Sequence, residues 1–185
     1  MYHLIVRCHG ELNDFLPRAR RGREVEVACA GHESAKNVLE SLGVPHPEVA
    51  ALLANGAPID FAYGVRPGDH IDAYGAAAGV VALPLRPPLE RFNFVLDTHL
   101  GRLAAYLRML GFDTLYRNDY DDPELARIAG GDGRILLTRD IGLLKRSAVV
   151  HGYFVRATDP ARQLPEVASR FGLHGAVVSF RRCIR

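Results

Sequence analysis

From residue 92 to residue 171 the chain switches back and forth between two hydrophobic periods, and this limits its fold more than any other feature. Strand-like runs stand at 92–96, 114–116, 135–138 and 153–157. Helical patterns fill the gaps at 99–110, 122–129, 141–147 and 160–171. In the first of these, Leu100, Leu103, Ala104, Leu107 and Leu110 form one apolar stripe. Repeated strand–helix units predict a parallel sheet with helices on both faces. Such sheets carry their sites at the C-terminal ends of the strands.

The first half reads differently. Strand-like runs at 2–8 and 24–29 precede a helical pattern, "HESAKNVLESLG", with Ala35, Val38, Leu39 and Leu42 on one face. Short strands follow around "ALLANGAPI" and "DHIDAYG", with Asn55-Gly56 and Pro67-Gly68 as turns. Two strands, a helix and more short strands give an α+β order. Between the halves, "GAAAGVVALPLRPPLE" at 75–90 runs from small residues into three prolines, which disfavour helix and cannot donate to a ladder. The expected division is a first domain at 1–75, a linker at 76–90, a second domain at 91–180 and a tail at 181–185.

No run of eighteen apolar residues is present, and the first residues lack the pattern of a secretory signal, so a membrane partner is not expected. Three cysteines, far apart and odd in number, fit a reducing cytosol better than a disulfide scaffold. The eight histidines form no pair at metal-ligand spacing. Charge is uneven. Residues 1–89 carry 8 basic and 10 acidic side chains, whereas residues 90–185 carry 15 and 11. The second half is therefore the expected partner of a polyanion.

Aspartates gather where that sheet would end its strands. The run "FNFVL" leads into Asp97, and "ILLT" is followed at once by Arg139-Asp140. Between them "NDYDDPEL" supplies Asp119, Asp121, Asp122 and Glu124. Converging carboxylates repel one another, and a divalent cation among them relieves the repulsion. Oxygen ligands select a hard ion, Mg²⁺ or Mn²⁺. Such an ion activates water and neutralises charge on a phosphodiester. Each aspartate also has a structural reading. Asp122 before Pro123 suits a helix N-cap, as does Asp140 before the next helix, and Thr98 is a further candidate cap. The nearest cations in sequence are Arg102, Arg108, Arg139, Lys145 and Arg146, candidates to meet a phosphate.

The strings "FVLDTHLGRLAAYLRMLGFDTLYRNDYDDPELARIA" and "RILLTRDIGLLKR" resemble the Mut-seven C-terminal RNase-domain family, a branch of the PIN-like nucleases, over residues 91–174. "SAKNVLESLGVPHPEV" and "ANGAPIDFAYGVRPGDHIDAY" resemble the ubiquitin-like β-grasp domain that often precedes it. The resemblance implies a β-grasp domain followed by a PIN-like α/β domain. It also implies a ribonuclease that uses Mg²⁺ or Mn²⁺, with metal-binding catalytic acids at Asp97, Asp122 and Asp140. Asp121 is the alternative to Asp122, and Asp159 is the one candidate for a fourth acid. Arg182-Cys183 resembles the start of the zinc ribbon with which the family often continues, so the expected chain stops short of that module. Sulfur-carrier β-grasp proteins need a free C-terminal Gly-Gly, which "DAYGAAAG" does not provide. A docking or RNA-positioning role is expected for the first domain, beside a purely structural one.

Two other classes compete. A phospho-accepting receiver also places aspartates at strand ends, but it wants adjacent acids after the first strand and a lysine after a later one. Thr98 follows Asp97, and no lysine follows a later strand. The other is a non-catalytic RNA-binding or interaction module, which a metal titration would separate from the nuclease.

Overall fold

The computed structural model describes residues 1–80 and 82–175. It divides into two compact units, Met1–Pro87 and Pro88–Arg185. The tail at 181–185, with Arg182-Cys183, lies outside the described residues.

Among the described residues, the first unit is one mixed sheet with one α-helix. Its strands are β1 (Tyr2–His9), β2 (Glu24–Cys29), β3 (Val49–Ala54), β4 (Ala57–Pro58) and β5 (His70–Gly75), ordered β2-β1-β5-β3-β4. β1 and β5 are parallel at the centre, and the other pairs are antiparallel. This is the expected β-grasp arrangement. Strand alternation sends Leu4, Val6 and Cys8 to one face, where they meet Val38 and Leu39 of α1 (Ala35–Ser41). Ser34 caps that helix, its side chain accepting from the Asn37 N–H. The β3–β4 hairpin turns at Asn55 (φ 53°) and Gly56 (φ 80°), two left-handed residues that suit the twist of the strands.

The stretch expected to be a linker is partly fastened to this unit. Leu85 packs on its core, and the Arg86 guanidinium donates to the carbonyls of His46, Pro47 and Val49. The division between the units falls between Pro87 and Pro88, within the stretch 76–90.

The second unit alternates as the sequence implies. β6 (Asn93–Leu96), α2 (Gly101–Met109), β7 (Asp113–Leu115), α3 (Asp122–Gly131), β8 (Ile135–Thr138), α4 (Ile141–Leu144), β9 (Gly152–Phe154) and α5 (Pro160–Phe171) follow in turn. The strands are all parallel, in the order β7-β6-β8-β9. Both faces are covered, so the central strands carry continuous apolar runs, Phe94–Leu96 in β6 and Ile135–Leu137 in β8. Phe94, Leu96, Ile135 and Leu137 face α2 and α5, while Val95 and Leu136 face α3 and α4. From β6 the chain passes outward to β7 and then returns past β6 to β8. The order reverses between β6 and β8, and ligands bind at such a switch point, beyond the strand C-termini.

Candidate active site

β6 and β8 end side by side and each delivers an aspartate. Asp97 follows β6 and is only 8 % exposed. Its N–H donates to Leu137 O of β8 at 3.1 Å, so the ladder itself carries it into place. Its carboxylate is held at both oxygens. Oδ1 accepts from the Thr98 N–H (2.6 Å) and the Thr98 hydroxyl (3.2 Å), and Oδ2 accepts from the Thr138 hydroxyl (2.7 Å). Thr138 closes β8 and is fully buried. Its Oγ1 also accepts the Asp140 N–H at 2.9 Å. One buried hydroxyl thus ties the two strand-end aspartates together.

Asp140 caps α4. Its Oδ1 accepts from the N–H groups of Gly142 (2.6 Å) and Leu143 (3.2 Å). The cap fixes the side chain on the C-terminal edge of the sheet. The turn after Asp97 is fixed as well, because the Tyr116 hydroxyl donates to Thr98 O at 2.9 Å. Gly101 makes room for that reach, since a Cβ there would lie 2.7 Å from Tyr116 Oη.

α3 brings the third acid. Two aspartates stand at its start, and the structure corrects the expected cap. Asp121 is the N-cap and accepts from the Glu124 N–H at 2.8 Å, while Pro123 is the second helical residue rather than the first. Asp122, at the first helical position, does not serve as the cap. Its nearest cation is Arg146, with Nη2 3.8 Å from Oδ2 and both side chains well exposed.

Asp97, Asp122 and Asp140 line one open cleft of about 500 Å³, together with Thr98, His99, Tyr120, Arg139, Ile141, Gly142 and Phe154. The other candidate acids are outside its lining. Asp121 caps α3. Asp119 pairs with Arg117 at 2.7 Å, and that guanidinium lowers the Asp119 carboxyl below its usual range. Asp159 caps α5, accepting from the Ala161 N–H. Among the described residues, no group of three His, Cys, Asp or Glu stands close enough to hold a metal ion as the side chains lie.

The five candidate cations separate. Arg139 lines the cleft, but its Nη1 donates to the carbonyls of Val155 (2.9 Å), Arg156 (3.0 Å) and Ala157 (2.7 Å). Glu166 takes the N–H groups of Arg156 (2.7 Å) and Ala157 (2.8 Å) from the same segment. Arg139 is thus part of a two-sided clamp on the chain leaving β9. Arg108 Nε donates to Thr114 O and joins α2 to β7. Arg102, Arg108 and Lys145 are not among the cleft's lining residues. Arg146 stands beside Asp122.

Sequence reasoning missed Thr138 as a site residue, together with His99, Tyr120 and Phe154. Thr138 had a signal, a polar residue ending an otherwise apolar buried strand. The three rings had none, because nothing local says which loop side chains converge.

Compared with known families, residues 92–185 match the Mut7-C RNAse domain and residues 1–80 match the Mut7-C ubiquitin domain. No curated protein and no solved structure matches significantly. Among the described residues no helix is long and apolar enough to cross a membrane.

Proposed function

We propose that this chain, which belongs to the Mut7-C RNAse domain family, hydrolyses RNA phosphodiester bonds in the Asp97–Asp122–Asp140 cleft with the help of a divalent cation. The observation that carries the reading is the convergence of three carboxylates, from the ends of β6 and β8 and the start of α3, on one cleft at the switch point of the sheet.

The donors suit a hard ion. They are carboxylate oxygens, with no sulfur or imidazole among the three acids, which favours Mg²⁺ or Mn²⁺ over zinc. Asp97, Asp122 and Asp140 would hold it. A bound ion of this kind lowers the pKa of water and offsets negative charge on the phosphate. Three carboxylates without it would repel the substrate's phosphates, and the one guanidinium in the lining already serves backbone carbonyls.

The chain's own residues orient and bind. Thr138 and the Thr98 N–H fix the Asp97 carboxylate, so its oxygens need little reordering as substrate enters. His99, Tyr120 and Phe154 offer ring surface beside the acids, where unstacked bases can rest. Arg146 stands near Asp122 and is the cation best placed to meet a phosphate at the rim.

The test is cleavage of labelled RNA by the purified chain with Mg²⁺ or Mn²⁺. Cleavage should cease with excess chelator and in Asp97→Asn. Full activity in chelator, with contaminating nuclease excluded, contradicts the reading. A second reading, a non-catalytic RNA-binding module, draws on the absence of a preformed group of three metal ligands among the described residues. A calorimetric Mn²⁺ titration decides between them, since only the nuclease needs the ion.

A further inference from the structure

The loop joining β1 to β2 in the first unit contains "PRARRGR", residues 17–23, with four arginines and no acid. Outside this loop, residues 1–89 hold four basic side chains and ten acidic ones. A polyanion is therefore repelled by most of the unit and attracted here.

The loop is built rather than loose. Asn13 Nδ2 donates to Cys8 O (2.9 Å) and Gly10 O (3.0 Å), and its Oδ1 accepts the Gly22 N–H (2.7 Å). Arg21 Nε donates to Leu16 O (2.9 Å) and Nη2 to Asp14 O (3.2 Å), so this guanidinium belongs to the loop's own frame. Leu12 and Leu16 anchor the preceding segment in the core. Arg18–Arg20 forms a 3-10 turn. Arg18, Arg20 and Arg23 are all exposed, and among the described residues none of their guanidinium groups has an ion-pair or hydrogen-bond partner. The adjacent acid, Glu24, is 3.2 Å from His70 Nε2 instead.

We propose that this loop is a docking surface for the phosphodiester backbone of RNA, gripped by Arg18, Arg20 and Arg23. The guanidinium fork matches pairs of phosphate oxygens. A loop already fixed by side-chain hydrogen bonds loses little freedom on binding. The choice of RNA among polyanions rests on the ribonuclease reading.

The test is anisotropy of a labelled single-stranded RNA titrated with the full chain in excess EDTA, so that binding is separated from hydrolysis. The variant is Arg18→Gln/Arg20→Gln/Arg23→Gln, which leaves Arg21 and the loop's hydrogen bonds in place. Its melting temperature should match the parent's. Its Kd should rise at least about ten-fold at low salt, and the slope of log K against log salt should shrink by about 2, at about 0.7 for each phosphate that is no longer neutralised. A variant with the parent's Kd and slope overturns the proposal. So does a variant that binds RNA normally but loses the parent's affinity for phosphatidylserine vesicles, which would make the loop a membrane contact. If the parent cleaves RNA with Mn²⁺ while the variant binds like it, only the docking surface fails. A parent that neither binds nor cleaves RNA removes the ribonuclease reading as well.

Discussion

The fully buried Thr138 hydroxyl donates to Asp97 Oδ2 at 2.7 Å, and Thr138 Oγ1 itself accepts the Asp140 N–H at 2.9 Å. Thr138→Val keeps the shape and removes both bonds. It leaves the buried Asp97 Oδ2 without this donor and the part-buried Asp140 N–H without this acceptor, at a cost of about 1–3 kcal/mol. We predict a lower melting temperature and weaker RNA cleavage, both restored by Thr138→Ser, which keeps the hydroxyl. Unchanged cleavage in the valine variant would separate this hydroxyl from the chemistry.

The two aspartates at the start of α3 have opposite roles and should respond in opposite ways. Asp121 is the cap, and asparagine caps about as well, so Asp121→Asn should leave both stability and cleavage close to the parent. Asp121→Ala should cost about 1 kcal/mol of stability. Asp122→Asn removes a carboxylate from the cleft and only an exposed, long ion pair with Arg146, worth about 0–1 kcal/mol. Its melting temperature should hold while cleavage falls at least about ten-fold, a loss of about 1.4 kcal/mol in transition-state stabilisation. Chemical denaturation and cleavage rates on the same samples check both. Equal behaviour of the two asparagine variants would return Asp122 to a structural role.

The first unit carries an acid-sensitive contact. The Glu33 carboxylate accepts from the N–H groups of Ala30 (2.7 Å), Gly31 (3.0 Å) and His32 (3.1 Å), and these donors lower its pKa to about 2. The folded value lies below the ordinary glutamate value, about 4.3. The stabilisation is therefore present above that value and is lost as pH falls from there through about 2. Glu33→Gln should melt below the parent at pH 7, and the gap should close on acidification through this window. Melting curves at stepped pH measure it; a gap that stays constant would contradict the assignment.

What local pattern carries was legible, and what depends on distant partners was not. β8 falls on the expected residues, 135–138, because an apolar run ending at a helix cap is a local signal. β9 stops at Phe154, short of the expected 157. The carbonyls of 155–157 turn to Arg139, and the N–H groups of Arg156 and Ala157 turn to Glu166, partners 9 to 18 residues away. The same clamp gives Arg139, one of the five candidate phosphate contacts, backbone partners that no local pattern announces. Asp121 and Asp122 could not be told apart by capping preference, since either can precede a helix with an early proline. The acids of the cleft were readable because the strand–helix alternation fixes which end of the sheet they share. The rings beside them were not, because no periodicity governs loop side chains.

Asp140 gives the sharpest separation of structure from chemistry, because it caps a helix and lines the cleft at once. Its Oδ1 takes two N–H donors of α4, a task an asparagine carbonyl can perform, so Asp140→Asn should change the melting temperature little without metal. The variant loses the charge that would face a cation and keeps nearly the same volume. On the cap reading alone, cleavage would follow stability and stay near the parent. On the metal reading, cleavage should be abolished, the parent's melting temperature should rise with Mn²⁺, and that rise should shrink in the variant, since ligand stabilisation scales with occupancy of the folded state. Cleavage rate and melting temperature are read side by side, with and without Mn²⁺. A variant that keeps the parent's metal response would leave Asp140 as the residue on which a strand stops because the next helix needs a cap.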